Sequence, residues 1–165
     1  MGALRRQAKR ALLAESQKQP ASRWLGSVPG LGPVRVAVLL ALIQTPFRFR
    51  SKRLFWAYVG LGLVTRVSAE FALVNGQLKR SGKAPAVRGL NPNHQRELKE
   101  IFKSASRVAV HQPGPWQQFY LQRVAAGRKP ELVRLTVARK LAALTLSLWK
   151  KGERYDVSHL KSPAA

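Results

Sequence analysis

The sequence predicts a mainly α domain, in which a helix-hairpin-helix sits among longer helices that carry a small β-hairpin insertion. Three observations lead there. A Gly/Pro turn, Ser27-Val28-Pro29-Gly30-Leu31-Gly32-Pro33, runs straight into the apolar stretch 34–43. The C-terminal half repeats apolar residues at helical spacing, first at Leu98, Ile101, Phe102 and Ala105 and then at Leu141, Ala142, Thr145 and Leu148. Asn75-Gly76, with Phe71, Leu73 and Val74 before it and Leu78 after it, is the strongest hairpin signal in the chain, because Asn-Gly supplies both positive φ values of a type I′ turn. At 165 residues and 45% hydrophobic content the chain can bury one core, which excludes wholesale disorder.

The first element is a helix over 3–17, with Leu4, Ala8, Ala11 and Leu12 on one side and Arg5, Arg6, Lys9 and Arg10 around it. A helix this polar is marginal alone, so its apolar side calls for a partner outside this chain or in a second copy. Gln19-Pro20 ends it, and a short segment 22–25 leads to the Gly/Pro turn. Gly30 and Gly32, alternating with Leu31, let the backbone take positive φ and come close to a partner; Pro33 suits the first helical turn, where its missing N–H costs nothing. The N–H groups that open the helix 34–44 have no intrahelical acceptor and carry the positive end of the macrodipole. Pro29, Gly30, Leu31 and Gly32 would thus present them to an anion such as a DNA phosphate. The same spacing also suits an ordinary loop ahead of a buried helix.

After Thr45-Pro46 the chain reads Phe47-Arg48-Phe49-Arg50, and Ser51 is a good N-cap for a helix to Val59 that Gly60 stops, with Leu54, Phe55 and Tyr58 inward. Arg48, Arg50, Lys52 and Arg53 form a basic cluster close in sequence to the hairpin, suited to phosphate or to a solvated face. The Asn75-Gly76 hairpin follows. From Lys79 and Arg80 through Lys83 to Arg88-Gly89 the chain is basic and too polar for core. Asn91-Pro92 is the expected start of a helix to His111, with Leu98, Ile101, Phe102, Ala105 and Val108 inward. Pro113-Gly114-Pro115 breaks it, a helix over 116–126 carries Phe119 and Tyr120, and Gly127 closes that one. The longest helix runs from Pro130 to Lys151, with Leu132, Leu135, Ala138, Leu141, Ala142, Thr145, Leu148 and Trp149 on its apolar face. Residues 158–165 read as a loose tail.

Charge points to the partner. Thirty Lys+Arg against seven Asp+Glu leave a net charge of +23, which repels itself until a polyanion neutralises it, and nucleic acid is the foremost candidate. A membrane is not expected, since the apolar run is broken by Arg35 and falls well short of the roughly 20 residues a span requires. Residues 1–18 are basic without an apolar centre and do not resemble a signal peptide, and the absence of Cys suits a reducing compartment. These features suit a cytoplasmic protein. His94, His111 and His159 lie far apart without ligand spacing and read as surface or loop residues. The acids Glu15, Glu70, Glu97, Glu100, Glu131, Glu153 and Asp156 are scattered over different elements, so no metal site and no cofactor is expected in this chain.

Four segments in fixed order carry a further identification: SVPGLGPVRVAVLLALI, FRFRSKRLFWAYVGLGLVTR, RGLNPNHQRELKEIFKSAS and KPELVRLTVARKLAALTLSLWKKGERYD. They resemble the C-terminal domain of the insertion-sequence transposases of the "one-ten" family, grouped with one-sixteen and nine-oh-two. The resemblance runs from about Ala11 to Asp156. It implies a DNA recombinase whose full form has an N-terminal RuvC-like domain holding a divalent metal (Mg) on carboxylates, a helical linker, and a helix-hairpin-helix domain with a nucleophilic serine. It also implies a guide (bridge) RNA that pairs with target and donor DNA. Residues 1–20 then correspond to the end of the linker, 21–157 to the C-terminal domain and 158–165 to a tail. The RuvC-like domain is absent, which leaves a remnant, an internal start or half of a split enzyme, working with duplex DNA as a homo-oligomer or with a RuvC-like domain in trans.

The family's serine follows a Gly-Leu-x-x-Arg segment, here Gly62-Leu63-Val64-Thr65-Arg66, and so maps to Ser68. The family's Ser-Ser-Gly-Gly-Lys wording is better matched by Arg80-Ser81-Gly82-Lys83, which makes Ser81 the alternative. Arg66 and Arg88 are the candidates to supply cations for charge developing on a phosphate. A non-catalytic architectural or ribosomal-like protein is the competing reading from composition, and a regulator that binds a full-length transposase is a third.

Overall fold

One long helix organises the chain, because apolar residues recur along it at i, i+4 and i+8. The computed structural model describes residues 2–66, 71–80 and 86–160. In it Pro130–Lys151 form a helix of 22 residues that turns Val133, Val137, Ala138, Leu141, Ala142, Thr145, Leu148 and Trp149 inward. Pro130 opens it, and Gly152 at φ 69° closes it in the left-handed conformation. In chain order the helices are α1 (Gly2–Gln17), α2 (Ala21–Leu25), α3 (Pro33–Ile43), α4 (Lys52–Tyr58), α5 (Arg96–His111), α6 (Pro115–Ala125) and α7 (Pro130–Lys151). Helix α7 packs against α2, α4, α5 and α6. The shared core includes Leu25, Leu39, Ile43, Phe55, Leu61, Leu98, Phe102, Leu141 and Leu148, all buried. Phe55 sits edge-on to both Phe49 and Phe102, with ring centroids 5.0 Å and 5.9 Å apart.

The mainly α class is as the sequence predicts, and several of its signals act where expected. The Ser51 hydroxyl accepts from Leu54 N at the start of α4. Ser51→Ala is expected to lower stability by about 1 kcal/mol, read as a fall in denaturation midpoint without a change in denaturant dependence. Three inward faces differ from expectation. Leu54 is 53% exposed, because the short α4 is turned by Phe55 and Val59 and by Trp56, whose indole Nε1 donates to the Arg139 carbonyl at 2.9 Å. Leu132 is 57% exposed in the first turn of α7, and its neighbour Val133 faces inward. Val108 is half-buried, since Ala105, Ala109 and Val110 set the inner stripe of α5.

Helix α5 begins at Arg96, not at Asn91-Pro92. The Asn91 side chain accepts from Asn93 N and donates to the Ala57 carbonyl, while Gln95 N donates to the Tyr58 carbonyl. An Asx turn anchored to the end of α4 therefore occupies the residues that would form the first helical turn. The β insertion is also larger than one hairpin. Strands β2 (Phe71–Val74) and β3 (Gln77–Arg80) pair around Asn75 at φ 53° and Gly76 at φ 73°, as predicted. Outside them β1 (Leu63–Arg66) pairs antiparallel with β4 (Ala86–Leu90), a ladder with a register shift between Leu63 and Thr65. The basic stretch 79–88, read as too polar for core, is thus strand at both described ends. Beyond α7, Asp156 caps a 3₁₀ turn, Val157–His159.

Candidate nucleic-acid interface

The turn ahead of α3 is built from Val28 to Leu31. Leu31 N donates to the Val28 carbonyl at 3.0 Å across Pro29 and Gly30, with Gly30 at φ 79°, the signature of a type II turn. Val28 and Leu31 plug into the core, and Arg35 Nη1 donates to the Gly30 carbonyl, closing the turn onto α3. The two glycines have different neighbours. A Cβ on Gly30 would lie 2.4 Å from the Ala105 carbonyl oxygen, so the close approach that this glycine permits is to the backbone of α5. Gly32 is exposed and extended at φ −71°, ψ 167°, with nothing within 4 Å of a Cβ. Helix α3 starts at Pro33, and its first intrahelical bond runs from Val36 N to the Gly32 carbonyl, which leaves the Val34 and Arg35 N–H groups at its open end.

The charge around this end is mixed. Arg35 borders a groove shared with Glu97 and Glu100 of α5. The Lys103 ammonium, hydrogen-bonded to Glu100 at 2.9 Å, holds that carboxyl below its usual range and offsets its charge. Arg48, Arg50, Lys52 and Arg53 are not beside the hairpin. They follow the opposite end of α3, about 15 Å away along an 11-residue helix. Arg48 Nη1 donates to the Ile43 carbonyl, where a cation meets the negative end of the helix, and its guanidinium lies 5.4 Å from the Tyr58 ring. Lys52 lies 5.7 Å from the Trp56 ring, and Arg50 and Arg53 are exposed.

Ser68, Ser81 and Lys83 lie outside the described residues. Their flanks are defined: Arg66 pairs with Ala86 at the end of one ladder, and Phe71 pairs with Arg80 at the end of the other. The connections 67–70 and 81–85 therefore join the same two ladder ends. Arg66 and Arg80 sit at those ends, Lys79 is exposed one residue before Arg80 on β3, and Arg88 is on β4.

Sequence reasoning missed a set of cations around Phe119, between α6 and α7. Lys140 lies 5.0 Å and Arg123 5.5 Å from the Phe119 ring, and burial, then Arg123 and Lys52, press the Lys140 ammonium below its ordinary pKa. Arg139 donates from Nε to the Leu61 carbonyl at 2.7 Å, and its buried Nη2 has no hydrogen-bond partner among the described residues. The run Arg123, Arg128, Lys129 without an intervening acid was the available signal.

The profile of the Transposase IS116/IS110/IS902 family matches residues 22–121, from α2 into α6 and well over half of the chain. The chain belongs to this transposase family. A curated relative from Sinorhizobium fredii (strain NBRC 101917 / NGR234), y4pF/y4sB, carries a provisional transposase name and is 30% identical over 134 residues, covering 81% of this chain and 32% of its own length. The chain thus spans about a third of the relative it matches. The family match takes in the Pro29-Gly30 turn, the basic cluster after α3 and the whole β insertion, whereas the Lys140 cluster lies partly beyond it. Among the described residues no helix of this transposase-family chain is long and apolar enough to cross a membrane.

Proposed function

We propose that this chain is the DNA-binding, serine-bearing C-terminal domain of a transposase, a fragment or one half of an enzyme whose RuvC-like domain is carried elsewhere. The observation that carries the reading is the family match through the turn and helix start at Gly32, in a chain of net charge +23. Helices α2 and α3 with the turn at Pro29-Gly30 act as the helix-hairpin-helix, and the open N–H groups of Val34 and Arg35 take a backbone phosphate. Because these donors address the backbone, sequence preference is expected to be slight. A domain with this role acts on DNA in the bacterial cytoplasm, alongside guide RNA and a second copy or a RuvC-like domain in trans.

The chemistry assigned to the serine is transfer of one phosphodiester. Its hydroxyl gives up a proton and its oxygen bonds to phosphorus as one P–O bond of the strand breaks; the departing strand oxygen takes up a proton and leaves as a free hydroxyl end, so the ester energy is kept in a protein–DNA bond. Arg66 and Arg88 would stabilise the charge that develops. Among the described residues no group of three or more His, Asp or Glu side chains could hold a metal ion, and we assign the Mg that the resemblance implies to the RuvC-like domain.

Duplex binding by the purified chain is expected to weaken steeply with salt, by roughly 0.9 in log–log slope for each phosphate neutralised. Affinity that is flat between low and moderate salt would end the reading. Gly32→Val separates the hairpin from bulk charge. Its backbone is extended and its Cβ meets nothing, so the variant should fold; a side chain over the helix start should lower duplex affinity about fivefold at constant net charge. Unchanged affinity in a folded Gly32→Val protein would return the turn to a purely structural role.

A further inference from the structure

The middle of α7 borders a recess of its own. Between α6 and α7 lies a cleft of about 300 Å³ lined by Phe119, Arg123, Arg128, Leu132, Thr136 and Lys140. Three of these residues are cations, and Lys52 is close enough to act on Lys140. Ion pairs among the described residues engage Lys18, Lys103, Lys151 and His159, and none of the cleft cations. Like charges gathered without a counter-charge repel in the free protein, and the Phe119 ring near both Arg123 and Lys140 offsets only part of that repulsion. An anion in the cleft would relieve the remainder.

We propose that this α6–α7 cleft is a second phosphate site, which holds the backbone of an unpaired nucleic-acid strand. The proposal rests on the nucleic-acid reading above and adds a second contact and a strand preference to it. Separation from the hairpin follows from α7 itself. Gly152, just past its C-terminus, lies against Trp24 of α2, whereas Lys140 stands twelve residues earlier, about 18 Å along the axis. The preference follows from shape and lining. A recess this size admits a phosphate and its sugar, but a duplex offers phosphates on a stiff convex rod that reaches only the rim, leaving Lys140 on the inner side untouched. Leu132, exposed at the rim, supplies an apolar surface for a sugar or an unstacked base, and cations beside an apolar platform suit single strands without sequence preference.

The test compares the wild type, the double variant Arg123→Met/Lys140→Met, which keeps the stems that pack near Phe119, and the charge-matched control Lys9→Met/Arg10→Met on the exposed part of α1. Each is titrated with a single-stranded oligonucleotide and with a duplex of the same length, across a salt series. The cleft variant should lose at least tenfold in single-strand affinity relative to the control. Its salt slope should fall by roughly 1.4, at about 0.7 for each of two lost contacts, and its duplex affinity should match the control. Equal losses for both oligonucleotides, or a loss no larger than the control's, would overturn the cleft while leaving hairpin binding in place. Failure of the wild type to bind either oligonucleotide would overturn the nucleic-acid reading and the cleft together. The cleft variant should also melt no lower than the wild type, because it removes crowded cations. A loss of folding in it would show that the cations are structural, which would also overturn the proposal.

Discussion

Gly30→Val is expected to destabilise the protein by about 3–5 kcal/mol, out of the 5–15 kcal/mol typical of a domain. Two costs combine. Valine at φ 79° is strained by roughly 1–3 kcal/mol, because its branched Cβ crowds the backbone there. The second cost is contact: the new Cβ would stand 2.4 Å from the Ala105 oxygen, 2.8 Å from its Cα and 2.9 Å from its carbonyl carbon. All three are backbone atoms of a helix that packs against α7 and buries Leu98, Phe102 and Ala109, so α5 must move or the turn must open. Gly30→Ala should cause most of the same loss, since the first carbon already collides. A compensating Ala105→Gly should not restore it, because the obstacle is not a side chain. Chemical denaturation of the three variants checks this, and a Gly30→Val protein as stable as the parent would mean that the turn does not rest on α5.

The contrast with Gly32 explains what the sequence could and could not convey. Pro29-Gly30 specifies a type II turn by local chemistry alone, as Asn75-Gly76 specifies the hairpin and Ser51 the start of α4, because each acts on backbone within four residues. What Gly30 approaches is decided 75 residues away, and no local pattern says whether a permissive backbone faces a ligand or a helix of the same chain. The same limit applies to helix faces. Apolar periodicity finds α4 and α7, but the rotation that exposes Leu54 and Leu132 is set by Trp56 reaching Arg139 and by Val133 and Val137. The β1–β4 ladder was hidden because its strands are short, partly basic and separated by the hairpin they enclose. Of the candidate site, the turn was legible. The basic cluster was legible as a cluster, but its place at the far end of α3 depends on the helix between them, and the cations around Phe119 converge only when α6 folds back on α7.

The largest chemical effect is expected at Ser68, for the proposed transposase with a RuvC-like domain restored or supplied in trans. Ser68→Ala should abolish strand transfer and the covalent protein–DNA adduct while leaving salt-dependent duplex binding unchanged, since removing one hydroxyl takes away the nucleophile but no charge. Ser81→Ala is the paired measurement. Arg66 pairs with Ala86 and Phe71 with Arg80, so Ser68 follows the last residue of β1 by two and Ser81 follows the last residue of β3 by one, on the two connections between the same ladder ends. Arg66 immediately precedes the connection that bears Ser68 and Arg80 the one that bears Ser81, so neighbouring charge does not separate the candidates. The Gly62-to-Arg66 spacing that the family resemblance supplies does, and it favours Ser68. Adduct that survives Ser68→Ala and disappears with Ser81→Ala would move the assignment to Ser81. Adduct that survives both substitutions would end the serine mechanism for this chain, and the hairpin would remain as a DNA clamp serving a nucleophile held elsewhere.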